Sequence, residues 1–294
     1  MRISDQMMFD LATRYSGQAE TNLQQAEATA ASGLRVVHPG DDPAAAGALV
    51  ESQATQARLS GIAATAGRAA DEVNAADGAL STVATTITRA TQLAVQMANS
   101  TYSATDRASA AGQIDQYVQQ IVAALNTKVG DRYVFGGNKD GSAPFDASGN
   151  YLGDTAVRQV EIAPGVLTAA SVRADVAVKG AGGGTDVIAA LQALSTALKA
   201  NDTTGIQAAI DPLNKGLDQV ATARGQAGDA MNALDTAATA NQAAATAEKT
   251  RASQLGDADM VQSATALAQA QQALQASLAA TSQGFQLSLL NYLK

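Results

Sequence analysis

His38 is the only histidine in the chain and no cysteine occurs. Neither a histidine-based catalytic dyad nor a multi-histidine or thiolate metal site can therefore be assembled from this sequence. Two carboxylate pairs, Asp41 with Asp42 and Asp257 with Asp259, have the residue type for acid–base work or cation binding. Each pair stands where a helix must restart. Asp42 precedes Pro43, and a carboxylate that caps free amides followed by a proline at the first helical position is the signature of a helix start. Asp41, Asp42 and Pro43 are therefore read as a loop and helix cap, and Asp257 and Asp259 in the same way. The glycine-rich GAGGGTD lacks the GxxxxGK order of a phosphate loop. GDRYVFGGNKDG reads as a hinge anchored by Tyr133 and Phe135, with Gly136 and Gly137 permitting the turn. Nucleophile, base and metal constellations are all missing, so the expectation is a non-enzyme that uses no cofactor.

The residues with most to say are apolar and periodic. Near the start, Met8, Ala12, Tyr15, Ala19, Asn22 and Ala26 fall at alternating steps of four and three; near the end, Met260, Ala264, Leu267, Gln271, Leu274, Leu278, Thr281 and Phe285 repeat the spacing, and Leu289, Leu290 and Leu293 extend it. Chain ends are usually polar and frayed, whereas ends with a heptad stripe are suited to pairing with each other or with other copies. Met8, Leu11, Tyr15 and Leu23, with Met260, Leu267, Leu274, Leu278, Phe285 and Leu289, are the expected assembly contacts.

Between these ends lie two longer stripes. Leu59 to Met97 keeps a three-four spacing without a skip, and a helix from Pro43 to about Asn99 would be ~85 Å long at ~1.5 Å per residue. After the break NSTYSATDRASAAG, Ala111, Ile114, Val118, Ile121 and Leu125 carry a shorter helix expected to fold back on the first as a hairpin. A short helix from Val187 to about Lys199, capped by Thr185 or Asp186, precedes a second long stripe from Ile206 to Ala252. Pro212 suggests that this rod begins near Asp211. Gly256 suits its C-cap, and Asp257 the N-cap of the terminal helix. Arg224, Asn241 and Glu248 occupy seam positions of the second rod, where such residues either fix register or mark where the seam meets water. Residues 131–184 differ, with β-branched residues, Gly and Pro in place of Ala stripes, and Val157, Val160 and Ile162 only loosely alternating.

The expected fold is mainly α. Long antiparallel helical rods form a coiled-coil-like bundle, with the terminal helices paired at one end and a small β-rich insert at the other. The domains are residues 1–42 plus 254–294 as terminal helices, 43–130 plus 185–253 as the rod domain, and 131–184 as the insert.

Composition agrees. Apolar residues make up 46% of the 294, roughly half of them alanine, while aromatics are only 3%. Alanine forms helices well and fills globular cores poorly, which favours long, thin helical packing. Charged residues are 16%, below the usual ~25%, as expected if other subunits cover part of the surface. A net charge of −8 argues against nucleic acid or an anionic membrane as partner. No apolar stretch is long enough for membrane insertion, and the first residues lack the apolar core of a secretory signal.

Several stretches, in fixed order, resemble the flagellin superfamily of bacterial axial proteins: MRIS at the start, SGLRVVHPGDDPAAAGAL after the first helix, ITRATQLAVQMANSTYSATDRASAAGQIDQ at the rod break, and GDADMVQSATALAQAQQALQASLAATSQGFQLSLLNYL at the end. The resemblance covers about the first 140 and last 90 residues. MRIS followed by MM, RYVFGGN with APF shortly after, and LSLLNYL resemble the branch found where hook meets filament, although that branch typically has Asn where His38 stands and Ser where Gly40 stands. The resemblance implies a structural subunit that joins hook to filament through its terminal helices, with the main filament subunit as the alternative. It implies export unfolded through the flagellar type III apparatus, without a cleaved signal peptide, to an extracellular place on the flagellum. The implied partners are further copies of the chain, hook-associated protein 1, flagellin, and an export chaperone at the C-terminal helix.

Overall fold

The computed structural model describes residues 2–292, with side chains described for residue 7 and for residues 9–283. Seven helices and two small hairpins follow one another in this span: α1 (Arg2–Ser32), α2 (Pro43–Met97), α3 (Ala104–Leu125), β1 (Lys128–Val129), β2 (Arg132–Tyr133), β3 (Gln159–Ala163), β4 (Val166–Ala169), α4 (Ala174–Ala177), α5 (Val187–Lys199), α6 (Thr203–Gly256) and α7 (Met260–Tyr292). The fold is mainly α, with β1 pairing β2 and β3 pairing β4, both antiparallel. The chain divides into two compact units, Met1–Arg58 with Ala244–Lys294, and Leu59–Ala243.

In the first unit α1 runs antiparallel to α7. Ser16 Oγ lies 3.5 Å from Thr281 Oγ1, and at the other end of the pair Ala258 N–H donates to Gly33 O at 2.8 Å. Ala12, Ser16, Ala19, Leu23 and Ala26 turn inward from α1, and Ser263, Leu267, Ala270, Leu274, Ser277 and Thr281 from α7. Both rows keep the four-three step of a helix–helix seam, and their mostly small side chains let two backbones approach closely. α2 and α6 enter this unit in opposite directions, Leu49 lying against Gly256 and the buried Ser52 hydroxyl donating to Glu248, 2.6 Å from Oε2 and 2.9 Å from the main-chain oxygen.

α7 starts later than expected. Asp257 N–H donates to Ser253 O at 2.8 Å, its carboxylate takes the Ser253 hydroxyl, and its backbone bridges to Leu34. With Asp257 occupied, Asp259 caps α7, Oδ1 accepting from Val261 N–H at 2.8 Å and Gln262 N–H at 3.2 Å. The start of α6 is corrected the other way. It begins at Thr203, not near Asp211, and carries Pro212 in its interior. Asp202 initiates it, accepting from Thr204 N–H at Oδ1 and from Ile206 N–H at its main-chain oxygen. Burial of Ile206, Ala209 and Leu213 offsets the hydrogen bond that the proline removes.

The core of the second unit joins the α2 stripe Leu80, Val83, Ile87, Ala90, Ala94 and Met97 to Ile114 and Ile121 of α3, Leu191 and Leu198 of α5, and Ile206, Leu213 and Val220 of α6. α3 opens on a reciprocal cap: Ser103 Oγ accepts from Asp106 N–H while Asp106 Oδ2 accepts from Ser103 N–H. α3 also lies close along α5, where Asp115 accepts from Ser195 Oγ at 2.6 Å and Lys199 Nζ at 2.7 Å. These two donors, the ammonium first, hold the Asp115 carboxyl below its ordinary value. Asp186 caps α5 through Ala189 N–H.

Residues 131–184 hold little regular structure. Phe135 and Phe145 are buried in the helical core, and the Tyr151 ring packs on Phe145 tilted by 53°, with 5.2 Å between ring centroids. Tyr151 Oη donates toward Phe135 O and Asp154 O, and burial pushes its phenol up to about 12. Gly137 turns with φ 65°, and Gly136 cannot carry a side chain because a Cβ there would lie 2.7 Å from Lys139 O. The β3–β4 hairpin rests on a second apolar cluster of Ala66, Ala69, Val73, Ala227 and Leu234 through Val160 and Ile162.

Candidate assembly surface on the terminal helices

The α1–α7 pair is built unlike a free-standing hairpin. Its inner seam consists mostly of alanine, serine and threonine with three leucines, and further large apolar side chains point away from it. Leu23, Leu267 and Leu274 are half-buried on the seam. Leu11, Tyr15, Met260 and Leu278 are exposed, Met260 by 59% and Leu278 by 55%. The side chains of Met8, Phe285 and Leu289 lie outside the described residues. The structure adds three exposed residues that the expected contacts omit: Met7, Phe9 and Val261, the last exposed by 76%. A four-three stripe of small residues has no size contrast to show which side faces the partner helix, so the phase of the seam cannot be read from spacing alone.

A second signal was present in the letters. Between Met260 and Tyr292 there is no Asp, Glu, Lys or Arg. An ordinary surface helix carries charges on the side turned to water; a helix of 33 residues without any is chemically suited to a neighbour rather than to solvent. Beside it, α1 and α7 leave a groove of about 570 Å³ lined by Asn22, Gln25, Ala26, Ala266, Gln269 and Ala270, among others. Small residues and uncharged amides dominate, and the two charged groups of the lining, Arg35 and Asp259, are engaged within the chain, so another helix can lie there without burying an unpaired charge.

The loop that turns α1 into α2 is fixed by two aspartates. Asp41 Oδ2 accepts from Val37 N–H at 3.1 Å and His38 N–H at 2.8 Å, closing the loop. Asp42 Oδ1 accepts from Ala45 N–H at 3.0 Å just after Pro43 starts α2. That backbone amide, and then Arg35 paired to Oδ2 at 3.0 Å, hold the Asp42 carboxyl below its ordinary value. Arg35 also donates to Leu255 O near the C-terminal end of α6, a contact for which sequence spacing offers no signal. The His38 side chain is largely exposed.

The three polar seam residues of α6 all have partners within the chain. Arg224 pairs with Asp77, Asn241 Nδ2 donates to Ile162 O at 2.6 Å and Ala237 O at 2.7 Å, and Glu248 receives Ser52. Arg107 was not singled out by its spacing and is the most buried cation among the described residues. Its guanidinium donates to Met97 O at 2.9 Å, to Asn99 O at 2.8 Å and to the Asn201 side chain, tying the last residue of α2 and the turn that follows it to the turn before α6. Among the described residues no three metal-binding side chains gather, and no helix is long and apolar enough to cross a membrane. The arrangement offers binding faces.

Comparison with known proteins places these features. Residues 3–140 match the bacterial flagellin N-terminal helical region and residues 210–293 the bacterial flagellin C-terminal helical region. Flagellar hook-associated protein 3 of Salmonella typhimurium is 30% identical over 300 residues, covering 94% of this chain and 95% of that protein. Its Escherichia coli counterpart is 29% identical with the same coverage. Among solved structures, a putative flagellar hook-associated protein from Vibrio parahaemolyticus shares the fold with a TM-score of 0.67 at 18% identity, covering 74% of this chain and all of that one. FlgL of Bacillus cereus does so with a TM-score of 0.58 at 24% identity, covering 69% and 97%. Flagellin-type helical regions at both ends, together with near full-length similarity to these relatives, establish that the chain belongs to the hook-associated protein 3 family of flagellin-like flagellar proteins.

Proposed function

We propose that this chain is a structural subunit of the flagellar hook–filament junction, polymerising through its terminal helices. The observation that carries the reading is α7: uncharged from Met260 to Tyr292, paired to α1 through a seam of mostly small residues, and presenting Met260, Val261 and Leu278 outward. Burying such side chains contributes about 1.5–3 kcal/mol each, and copies packed around a common axis supply the cover. In this arrangement residues 1–42 and 254–294 form the inner core, 43–130 and 185–253 the surrounding rods, and 131–184 the outer surface. The neighbours are further copies, hook-associated protein 1 on the hook side and flagellin on the filament side. The chain reaches this extracellular place unfolded through the flagellar export apparatus, with a chaperone on the C-terminal helix. A helix of marginal solitary stability is disordered until neighbours bury it, so folding and assembly become one step.

Electron microscopy of cells lacking the gene tests the proposal. Bare hooks, with filament protein shed into the medium, are expected; filaments of normal length would refute it. A second reading, the main filament subunit, is favoured by the flagellin-type regions at both ends. Copy number separates the two: a short ring per organelle supports the junction, and thousands of copies in a long polymer support the filament.

A further inference from the structure

Burial along the α1–α7 pair is uneven. Ala19 of α1 and Ser263 of α7 are buried, whereas no described side chain of α1 before Ala19, and none of α7 after Ser263, is buried. The outer halves carry Leu11, Tyr15 and Leu278 exposed instead. The well-packed half is the one next to the two crossovers, where α1 passes into α2 and α6 into α7.

The crossovers are stitched to each other. Leu34 faces Asp257 as an antiparallel bridge, flanked by Arg35 N–H donating to Gly256 O at 2.7 Å and Ala258 N–H donating to Gly33 O at 2.8 Å. The Arg35 side chain doubles the stitch: Nη1 donates to Asp42 Oδ2 at 3.0 Å and Nη2 to Leu255 O at 2.7 Å, so the cap of α2 and the last turn of α6 share one guanidinium. Both terminal helices leave the stitch with finished ends. α1 closes on Gly33, whose N–H donates to Thr29 O at 2.9 Å and whose φ is 69°, and α7 opens on the Asp259 cap.

We infer that the stitch is formed in the free chain and is the fixed point from which α1 and α7 pair, zipping toward their outer halves as neighbouring copies cover them. Starting a helix costs far more than extending one. A stitch that holds a capped end of each helix side by side removes that cost at one place and spares the pair the entropy of finding each other across a long loop. Arg35 is then a positioning residue of assembly, acting through the backbone of the opposite crossover. The zipping rests on the proposed function; the preformed stitch does not.

Hydrogen exchange of the purified full-length monomer tests this. The amides of Arg35 and Ala258 should exchange at least about a hundredfold slower than an open chain, and those around Thr13 and Ser277 within about tenfold of it. Arg35→Ala should cut the protection of Ala258, on the other crossover, by at least about tenfold, while unchanged α3 and α5 amides show that the second unit is folded. Arg35→Lys should restore only part, since an ammonium does not span both acceptors. Gly33→Ala is an independent probe: a Cβ there meets nothing within 4 Å, but φ 69° disfavours it, so the stitch loosens with no contact removed. Open-chain exchange at Arg35 and Ala258, equal protection at Thr13 and Ser277, or Ala258 protection that survives both Arg35→Ala and Gly33→Ala would each overturn the inference. All of these are read on the free chain, so such a failure leaves the proposed function to its own test in cells lacking the gene.

Discussion

Asp77 of α2 and Arg224 of α6 meet in a two-pronged ion pair, Nε to Oδ1 at 2.8 Å and an Nη2 nitrogen to Oδ2 at 3.2 Å. The carboxylate raises the affinity of the guanidinium for its proton, and the planar fork sets the two helices in one register. Beside it the same helices bury Leu80 and Val220, so a polar clamp and an apolar seam specify the same alignment.

Arg224→Ala is expected to cost about 1 kcal/mol or less, because the pair is partly solvated and screened. Leu234→Ala, which empties a fully buried seam position of α6, should cost about 2–5 kcal/mol. Urea midpoints of the two variants measured side by side check the order.

Arg107 behaves differently because it is buried and its acceptors are main-chain and amide oxygens. Arg107→Ala strands those carbonyls and should cost about 3 kcal/mol. Arg107→Lys should recover only part of that, since a single ammonium cannot reach the acceptors that the fork spans. Guanidinium denaturation of both variants distinguishes a fork from a simple charge.

Two groups of the second unit tie its stability to pH with opposite signs. Asp115 is held below the ordinary value of 3.8, first by Lys199 and then by Ser195, so its contribution is present above about pH 4 and is lost as pH falls through the lowered value. Asp115→Asn should remove its share of that acid limb, leaving the shares of Asp106 and Asp146, which are also lowered. Tyr151 is raised from 10.0 to about 12, chiefly by burial; its neutral phenol stabilises the fold fully below pH 10, and stability falls as pH rises from about 10 toward 12. Tyr151→Phe should remove that alkaline limb and lower stability at neutral pH by about 1 kcal/mol through the lost hydrogen bond. Thermal unfolding across pH 3 to 12 reads both.

Met260→Asp with Leu278→Asp places charges on the outward face of α7 without entering the seam. Circular dichroism of the purified double variant should match the parent, while motility and junction assembly are lost. A motile strain carrying it would show that this face is not an assembly contact.

Much of the fold was legible because α2 and α6 advertise themselves. Leu80, Val83, Ile87, Ala90 and Ala94 are all fully buried, at the positions their spacing marks, and Pro43 and Asp186 stand at helix starts. The start of α6 was misread because Pro212 lowers local propensity, whereas burial of Ile206 and Leu213 decides the outcome. Asp257 and Asp259 look interchangeable as caps until Ser253 and Leu34 claim the first. On α1 and α7 the spacing was clear but not its phase, because Ala19 or Ser263 serves a close helical contact as well as a leucine. Arg35 and Arg107 were invisible because their acceptors include carbonyls that only folding brings near.

The lack of any acid or base along α7 has a further consequence. Contacts between uncharged faces gather no counterion atmosphere, so ionic strength has little to screen and acidity nothing to titrate. Their strength follows temperature instead, since apolar association weakens on cooling. Where α7 meets another uncharged face, the contact grips nearly equally in fresh water and brine, and chilling loosens it first.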